Sequence, residues 1–405
     1  MDYKKFFAFF IMLILTSLTF AEVLSQWRGP NRDGIYPGET LLKQWPDNGP
    51  KKVWSADGLG VGFSSPAVTD NAVYVTALIG SQGWLFAFDH SGKQIWKTNY
   101  GPEWDQGHEG ARTTPTVVDD RIYLISGMGH VVCLDTAGKI VWKLDMVQEF
   151  GARNLRWGMT ESPLVDGNKI FCTPGGTKAM MAALDRSTGN VIWQTKGNGQ
   201  LSAYCSPTII NHNGKRLLVT MVEKAVVVLD PESGKMLWEK RHTTQYDINP
   251  NTVLYNDGSL YTFSGYGTGG QMFEIAADGL SAKKVWDHSE PDNQMAGAVL
   301  VDGFIYSSGH RDRGWACVDW NTGEVKWTSR DYFGKGPIIF ADGMLYMYSE
   351  KGDVVLAKPN PSEFEPVSVF EMMDGSGSHW AHPVIKNGRL YVRHGDVMNV
   401  YDISK

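Results

Sequence analysis

Short runs of alternating or continuous apolar residues, four to eight long, recur from Ser65 to Tyr401 and are broken by turn residues. Ser65-Pro66 through Tyr74 is an apolar stretch, an Asp-Asn turn and a second apolar stretch. The same form returns from Thr114 to Tyr123, Ser162 to Phe171 and Ser206 to Leu217, and more weakly from Ala296 to Tyr306, Gly336 to Tyr346 and His382 to Tyr391. Runs of this length with turn signals between them predict antiparallel strands rather than helices.

After each pair comes a second hairpin. It reads Phe88-Asp89-His90-Ser91-Gly92-Lys93-Gln94-Ile95-Trp96, then Leu134-Asp135 to Trp142, Leu184-Asp185 to Trp193, Leu229-Asp230 to Trp238 and Val318-Asp319 to Trp327. A worn copy ends at Trp286, and Val53-Trp54 keeps only its tail. The Asp side chain caps the turn and Gly supplies positive φ, while Trp is large enough to fill the wedge between neighbouring units. Trp54, Trp96, Trp142, Trp193, Trp238, Trp286 and Trp327 follow one another at about 41 to 51 residues, the period of propeller blades.

Each unit supplies four antiparallel strands. Seven units run to completion near Phe370, and residues 382–402 add three strands without a fourth. The missing strand is Lys52-Val53-Trp54, and joining it to the last three removes the free sheet edge. The predicted fold is all-β, an eight-bladed β-propeller of four-stranded antiparallel blades closed by an N-terminal strand in the C-terminal blade. The expected organisation is a signal peptide over 1–21, an N-terminal arm over 22–51 and one propeller over 52–405.

Lys4 and Lys5 precede an apolar stretch from Phe6 to Leu18, and Thr19-Phe20-Ala21 offers small residues for a signal peptidase. This pattern predicts export, with cleavage before Glu22. The apolar stretch is short for a span, and no Cys lies at the cleavage point for a lipid anchor. The expected product is a soluble, monomeric protein of the periplasm or exterior. The net charge of −6 argues against a nucleic-acid partner. An oxidising compartment permits disulfides, yet Cys133, Cys172, Cys205 and Cys317 all fall in strand-like runs, without a C-x-x-C pair. The expectation is four buried thiols, with Cys172 and Cys205 the pair to test for a bridge. No metal site is expected.

The Asp-x-x-(Thr/Ser)-Gly-x-x-x-Trp hairpin resembles the tryptophan-docking repeat of pyrroloquinoline quinone (PQQ) propellers. These include the quinoprotein alcohol dehydrogenases, the lipid-anchored propeller of the outer-membrane β-barrel assembly machinery, and many exported PQQ-like repeat proteins. Gln26-Trp27-Arg28-Gly29-Pro30-Asn31-Arg32-Asp33-Gly34 and Ser264 to Gly270 are similar to the last group. The resemblance implies PQQ with calcium only for the dehydrogenases, which stack the quinone on an adjacent-Cys disulfide and hold calcium with an acidic residue and an Asn. Here no two Cys are neighbours, and the third-blade loop Thr173 to Lys178 carries no carboxylate. Asp247 imitates the catalytic base by position alone, and the haem pattern C-x-x-C-H is absent.

In a propeller, the loops entering each innermost strand gather on one face around the axis. Those loops bring Trp104, Asp105, His108, Glu109 and Arg112, then Arg153, Arg156, Trp157 and Glu161, then Ser202 and Tyr204. They continue with Tyr246, Asp247 and Asn249, Asp292 to Gln294, Lys335, and His379, Trp380 and His382. Same-face loops within blades add Tyr266, His310, Arg311 and Arg313. Aromatic rings here stack on sugars or a flat cofactor. Arg112, Arg153 and Arg156 suit an acidic ligand. The His residues with Glu109 or Glu161 suit acid–base work.

Three readings follow. The first is a non-catalytic binding or scaffold propeller of the cell envelope that recognises a protein or glycan; it leads because the repeat is rich in fold information and carries no catalytic motif. The second is a PQQ-type oxidoreductase, and the third a carbohydrate-active enzyme on acidic sugars.

Overall fold

The computed structural model describes residues 23–295, 297–330 and 333–405. The expected signal peptide and its cleavage point lie outside these residues. No helix among them is long and apolar enough to cross a membrane.

Eight antiparallel sheets follow one another along the chain, each with four strands in sequence order from the axis outward. Blade 1 spans Ala67 to Pro102, blade 2 Thr116 to Asp145, blade 3 Leu164 to Thr195 and blade 4 Thr208 to Arg241. Blades 5, 6 and 7 span Leu254 to His288, Ala298 to Thr328 and Ile338 to Glu371. Blade 8 takes three strands between Val384 and Asp402, and β3 (Lys51–Ala56) joins it as the outermost, with Trp54 opposite Val400. The ring is therefore closed by pairing the two ends of the chain, which satisfies the edge that seven and three-quarter blades would leave open.

The repeat residues hold blade to blade. Asp89 Oδ1 accepts from the amides of Ser91 and Lys93 at 2.8 and 3.0 Å, and Asp319 Oδ1 accepts from Asn321 and Thr322 at 2.9 Å. The tight turn brings the following Gly under the indole of the preceding blade. Gly138 has φ +89°, and a Cβ built there would sit 2.7 Å from the Trp96 ring, so both the backbone and the contact demand glycine. The Trp96, Trp142, Trp193, Trp238 and Trp327 indole N–H groups donate to Thr136, Arg186, Pro231, Gly279 and Asn360 carbonyls of the next blade. The apolar core is accordingly divided into wedges, such as Phe171, Met181 and Leu218 between blades 3 and 4.

Two short arm strands turn two of the sheets into five-stranded ones. β1 (Val23–Ser25) pairs antiparallel with the inner strand of blade 2, and β2 (Ile35–Tyr36) pairs parallel with that of blade 7. The register runs β1 up the axial channel and β2 back down, so Gln26 to Gly34 crosses the channel. Two buried arginines fasten this crossing. Arg32 donates to the Ser162 and Pro163 carbonyls at 2.7 and 3.1 Å. Arg28 donates to the Ala298, Ile338 and Asp33 carbonyls. Burial pulls both guanidinium groups down to about 10, so each stays charged at neutral pH and its carbonyl partners supply the compensation that a buried cation requires. The arm continues through Trp45, whose indole N–H donates to the Val354 carbonyl at 3.2 Å.

All four cysteines are buried and free. Cys172 and Cys205, the pair nominated for a bridge, are unbridged thiols packed in different wedges.

Candidate functional site

The entry loops converge on a cavity of about 290 Å³ at the axis. Its walls are aromatic because the loops hold bulky side chains in backbone conformations that favour glycine. His108, Tyr204 and Tyr266 have φ of 57°, 71° and 60°, and Tyr246, beside the cup, has φ of 71°. Left-handed backbone costs an L-residue about 1–2 kcal/mol, and such strain concentrates where a site requires a particular display. Ring centroids link Phe63 to Trp380 at 4.9 Å, Trp380 to His108 at 5.7 Å and His108 to Trp157 at 6.4 Å. The chain of rings continues from Trp157 to Tyr204 and Tyr246 and on through Tyr266 to His310.

Trp27 of the arm also lines this cavity, so the channel is closed below and the cavity is a cup. Trp27 meets His382 edge-on at 4.6 Å, and its N–H donates to Thr252 Oγ1 at 3.2 Å. His382 is locked. Its Nε2 lies 2.8 Å from the Met295 carbonyl and its Nδ1 3.1 Å from Arg28. Nε2 must therefore donate and Nδ1 accept, which defines the neutral tautomer. Burial and the adjacent Arg28 hold its pKa well below the ordinary imidazole value. With both nitrogens engaged, it serves as a support for the floor and has no free nitrogen for proton transfer.

Arg112 donates to the carbonyls of Trp157 and His108, tying two aromatic loops together, and burial lowers it to about 10. Arg156 lies over Trp157 at 4.8 Å and over Tyr246 at 5.6 Å. A second pocket, of about 260 Å³, opens beside the cup and shares Tyr204 with it. It presents Arg156, Ser202, Glu223, Tyr246 and Asp247. The Asp247 carboxyl is raised by partial burial and by its hydrogen-bonded neighbour Glu223. Burial acts to raise Glu223 too, but the Leu201 amide and Lys224 outweigh it and hold Glu223 below the usual range.

Seven predicted residues therefore meet at the cup: His108, Arg112, Trp157, Tyr204, Tyr266, Trp380 and His382. Arg156, Tyr246 and Asp247 belong to the side pocket. His310 borders the ring through Tyr266, and its Nδ1 accepts from Lys335 Nζ at 2.7 Å; burial, then the Lys335 charge, lowers its pKa. Glu109 and Arg153 are exposed.

Three predicted residues are placed elsewhere. His379 stacks on His394 at 3.5 Å and bonds the Tyr348 hydroxyl at 2.6 Å, and burial lowers it to about 4. It packs blade 7 on blade 8, since Tyr348 belongs to the first and His394 to the second. Asn249 gives its amide to the Val222 and Glu223 carbonyls and accepts from Ser264 Oγ at 2.9 Å. Glu161 is 4% exposed beneath the surface, accepts from the Thr173 amide at 3.1 Å and is pushed up by burial to about 8.

These placements test the fit for PQQ with calcium. The cation requires hard, preferably charged oxygen ligands. Glu161 is protonated at neutral pH, both ends of the Asn249 amide are engaged, and the Asp292 carboxylate already accepts from the Gly267, His310 and Arg311 amides. No three His, Cys, Asp or Glu among the described residues form a metal cluster. The residues present do not fit that cofactor.

Phe63, which the entry loop of blade 1 contributes to the same face, joins the cup, and Glu223 is a functional candidate beyond the sequence-based set. Glu223 sits in the loop after Lys215–Val222, in the same class of loop as Tyr266 and His310, so that alignment of loops was the available signal.

Residues 81–329, more than half of the chain, match the family described as outer membrane protein assembly factor BamB. BamB of Kangiella koreensis is 24% identical over 205 residues, 49% of this chain and 48% of that protein. Quinoprotein alcohol dehydrogenase PedH of Pseudomonas putida is 28% identical over 177 residues, 41% of this chain and 28% of that protein. The chain thus spans about half the length of the first relative and less of the second. Among solved structures, BamB from Moraxella catarrhalis superposes with a TM-score of 0.64 at 16% identity, covering 87% of this chain and 97% of that one; this likeness speaks for fold alone. Taken with the eight closed blades and their Trp–Gly contacts, the match over residues 81–329 establishes that the chain belongs to the BamB family of PQQ-like repeat propellers.

Proposed function

We propose that the protein is exported and acts as a non-catalytic binding propeller of the cell envelope, holding its partner at the face that carries the aromatic cup. The observation that carries this reading is the strained, nearly continuous ring of aromatic side chains above a floor locked by Trp27, His382 and Arg28. A rigid concave aromatic surface binds with little loss of side-chain entropy. The hydrogen-bonding groups that an acid–base mechanism needs are largely spent on the fold: His382 in the floor, His379 between blades, and Glu161 beneath the loops.

The test is a tryptophan-fluorescence titration of the purified mature chain with soluble peptidoglycan fragments and with purified envelope proteins. A dye-linked dehydrogenase assay with added PQQ and calcium runs beside it. The expected result is saturable binding that is lost in Trp157→Ala, without dye reduction. Cofactor-dependent turnover of an alcohol or sugar would overturn the reading in favour of the oxidoreductase.

A further inference from the structure

The side pocket differs chemically from the cup it adjoins. The cup is aromatic, and its Arg112 is committed to two backbone carbonyls. The side pocket sets two carboxyl groups, one arginine and a serine against two tyrosine rings. Ser202 is only 6% exposed and its hydroxyl has no hydrogen-bond partner within the protein. A buried hydroxyl left without a partner costs about 1–3 kcal/mol; this oxygen is sealed from solvent, so the polar contacts open to a ligand in the pocket are those of Arg156, Glu223 and Asp247. Tyr246 stands beside it with half of its surface exposed.

We propose that this pocket is a sugar subsite that receives one hexose unit of a neutral glycan, whose chain continues across the aromatic ring into the cup. The inference rests on the binding reading above and names its ligand class. Tyr246 and Tyr204 take the apolar C–H face of the ring, as flat aromatic surfaces do. Glu223 and Asp247 take its hydroxyls: an ionised carboxylate accepts, and a carboxyl that holds a proton also donates.

The charges select the class. Arg156 attracts a uronate or phosphate that Glu223 and Asp247 repel, and the reverse holds for an ammonium group, so the opposed charges offset one another and favour neither ion. A neutral polyol satisfies all three. At about 260 Å³ the pocket lies just below the range of about 300–1,000 Å³ that accepts drug-sized ligands, which suits a single ring. A protein partner bound by itself would instead need about 800 Å² of matching face.

The experiment is calorimetric titration of the mature full chain with cellotetraose, mannotetraose and chitotetraose, and with tetragalacturonate as the anionic comparison. At least one neutral tetrasaccharide is expected to bind with Kd of about 1 mM or tighter, and more tightly than tetragalacturonate. Tyr246→Ala and Glu223→Gln are each expected to weaken it about tenfold; the melting temperature is expected to stay unchanged in Tyr246→Ala, whose side chain is half exposed, while Glu223→Gln keeps an oxygen for the Leu201 amide but loses the Lys224 ion pair. Three results would overturn the subsite: no binding by any neutral tetrasaccharide, affinity unchanged in both variants, or preference for tetragalacturonate. The two readings fail separately. If neutral glycans fail while an envelope protein binds and is lost in Trp157→Ala, the subsite falls and the binding propeller stands. If nothing binds the cup at all, both fall.

Discussion

Two sets of tryptophans do different work in this molecule. Trp96, Trp142, Trp193, Trp238 and Trp327 share one environment, each covering a glycine or turn of the next blade and donating its N–H to a carbonyl there. Trp157 and Trp380 lie on entry loops, half-buried, with aromatic rings and arginines as neighbours. Trp27 is buried, as Trp238 alone is in the first set, and faces the cup from below like the second set. The contrast teaches that the residue type says little until its contacts are known. Indoles of the first set are held by the repeat, and those of the second hold a surface open.

Removing one indole from each set is the sharpest way to break that comparison. Trp142→Ala is expected to cost about 2–3 kcal/mol of unfolding free energy, read as a lower denaturant midpoint, because a half-buried indole that packs on the wedge between blades 2 and 3 and donates to the Arg186 carbonyl would be removed. Gly138→Ala comes next, at about 2 kcal/mol, since it forces a side chain into positive φ and against the Trp96 ring. Trp157→Ala is expected to change stability by about 1 kcal/mol or less while removing binding at the cup. Equal destabilisation by Trp142→Ala and Trp157→Ala would erase the distinction between the two sets.

The buried carboxyl of Glu161 gives a prediction with a definite sign. Its folded-state pKa of about 8 lies above the unfolded value of 4.5, so the folded state binds the extra proton between those limits. The associated stability is fully present below about pH 4.5 and is lost as pH rises through about 8. Glu161→Gln, which keeps the shape without the charge, is expected to match the wild type at pH 5 and to exceed it increasingly from pH 6 to 8.5 in denaturant melts. His379, lowered to about 4, acts in the opposite sense below pH 6.5, which is why the comparison is made as a difference between the two proteins. The smallest effect concerns the thiols: a disulfide-exchange dye is expected to react with none of the four cysteines in the native protein and with all four after denaturation, in line with their burial.

Much of the fold was legible because a propeller writes its contacts into a local repeat. Asp89, Gly92 and Trp96 lie within one hairpin, and the packing of indole on glycine recurs at Trp54–Gly92, Trp96–Gly138, Trp142–Gly189, Trp193–Gly234 and Trp286–Gly323, although the N–H groups of Trp54 and Trp286 find no partner. The closing strand was legible for a related reason: three strands after Glu371 need a fourth, and Val53-Trp54 had no other partner. The site was legible only as a list of loops. Sequence placed Trp157, Tyr204, Tyr246, Tyr266 and Trp380 on one face, because every entry loop of a propeller faces the same way. It also placed His379 and His382 together, and the structure separates them: His382 turns down to Arg28 while His379 turns outward to His394.

Spacing along the chain set the eight blades, their order, a tryptophan on the outer strand of seven of them, a glycine beneath five of those indoles, and the face on which loops gather. These follow from spacing and from the φ and size demands of single residues, which are local properties. Only the tertiary structure decided that the arm climbs the channel and makes Trp27 a floor. It alone decided that Glu223, Asp247 and Ser202 share a pocket beside the cup, and that Asn249 and Glu161 are consumed by the fold. Those outcomes depend on hydrogen bonds between residues tens to hundreds of positions apart, such as Arg28 to Ala298 and Arg32 to Ser162. No local period encodes which of several carbonyls a buried guanidinium will reach; that is settled by where the closed ring leaves them unpaired.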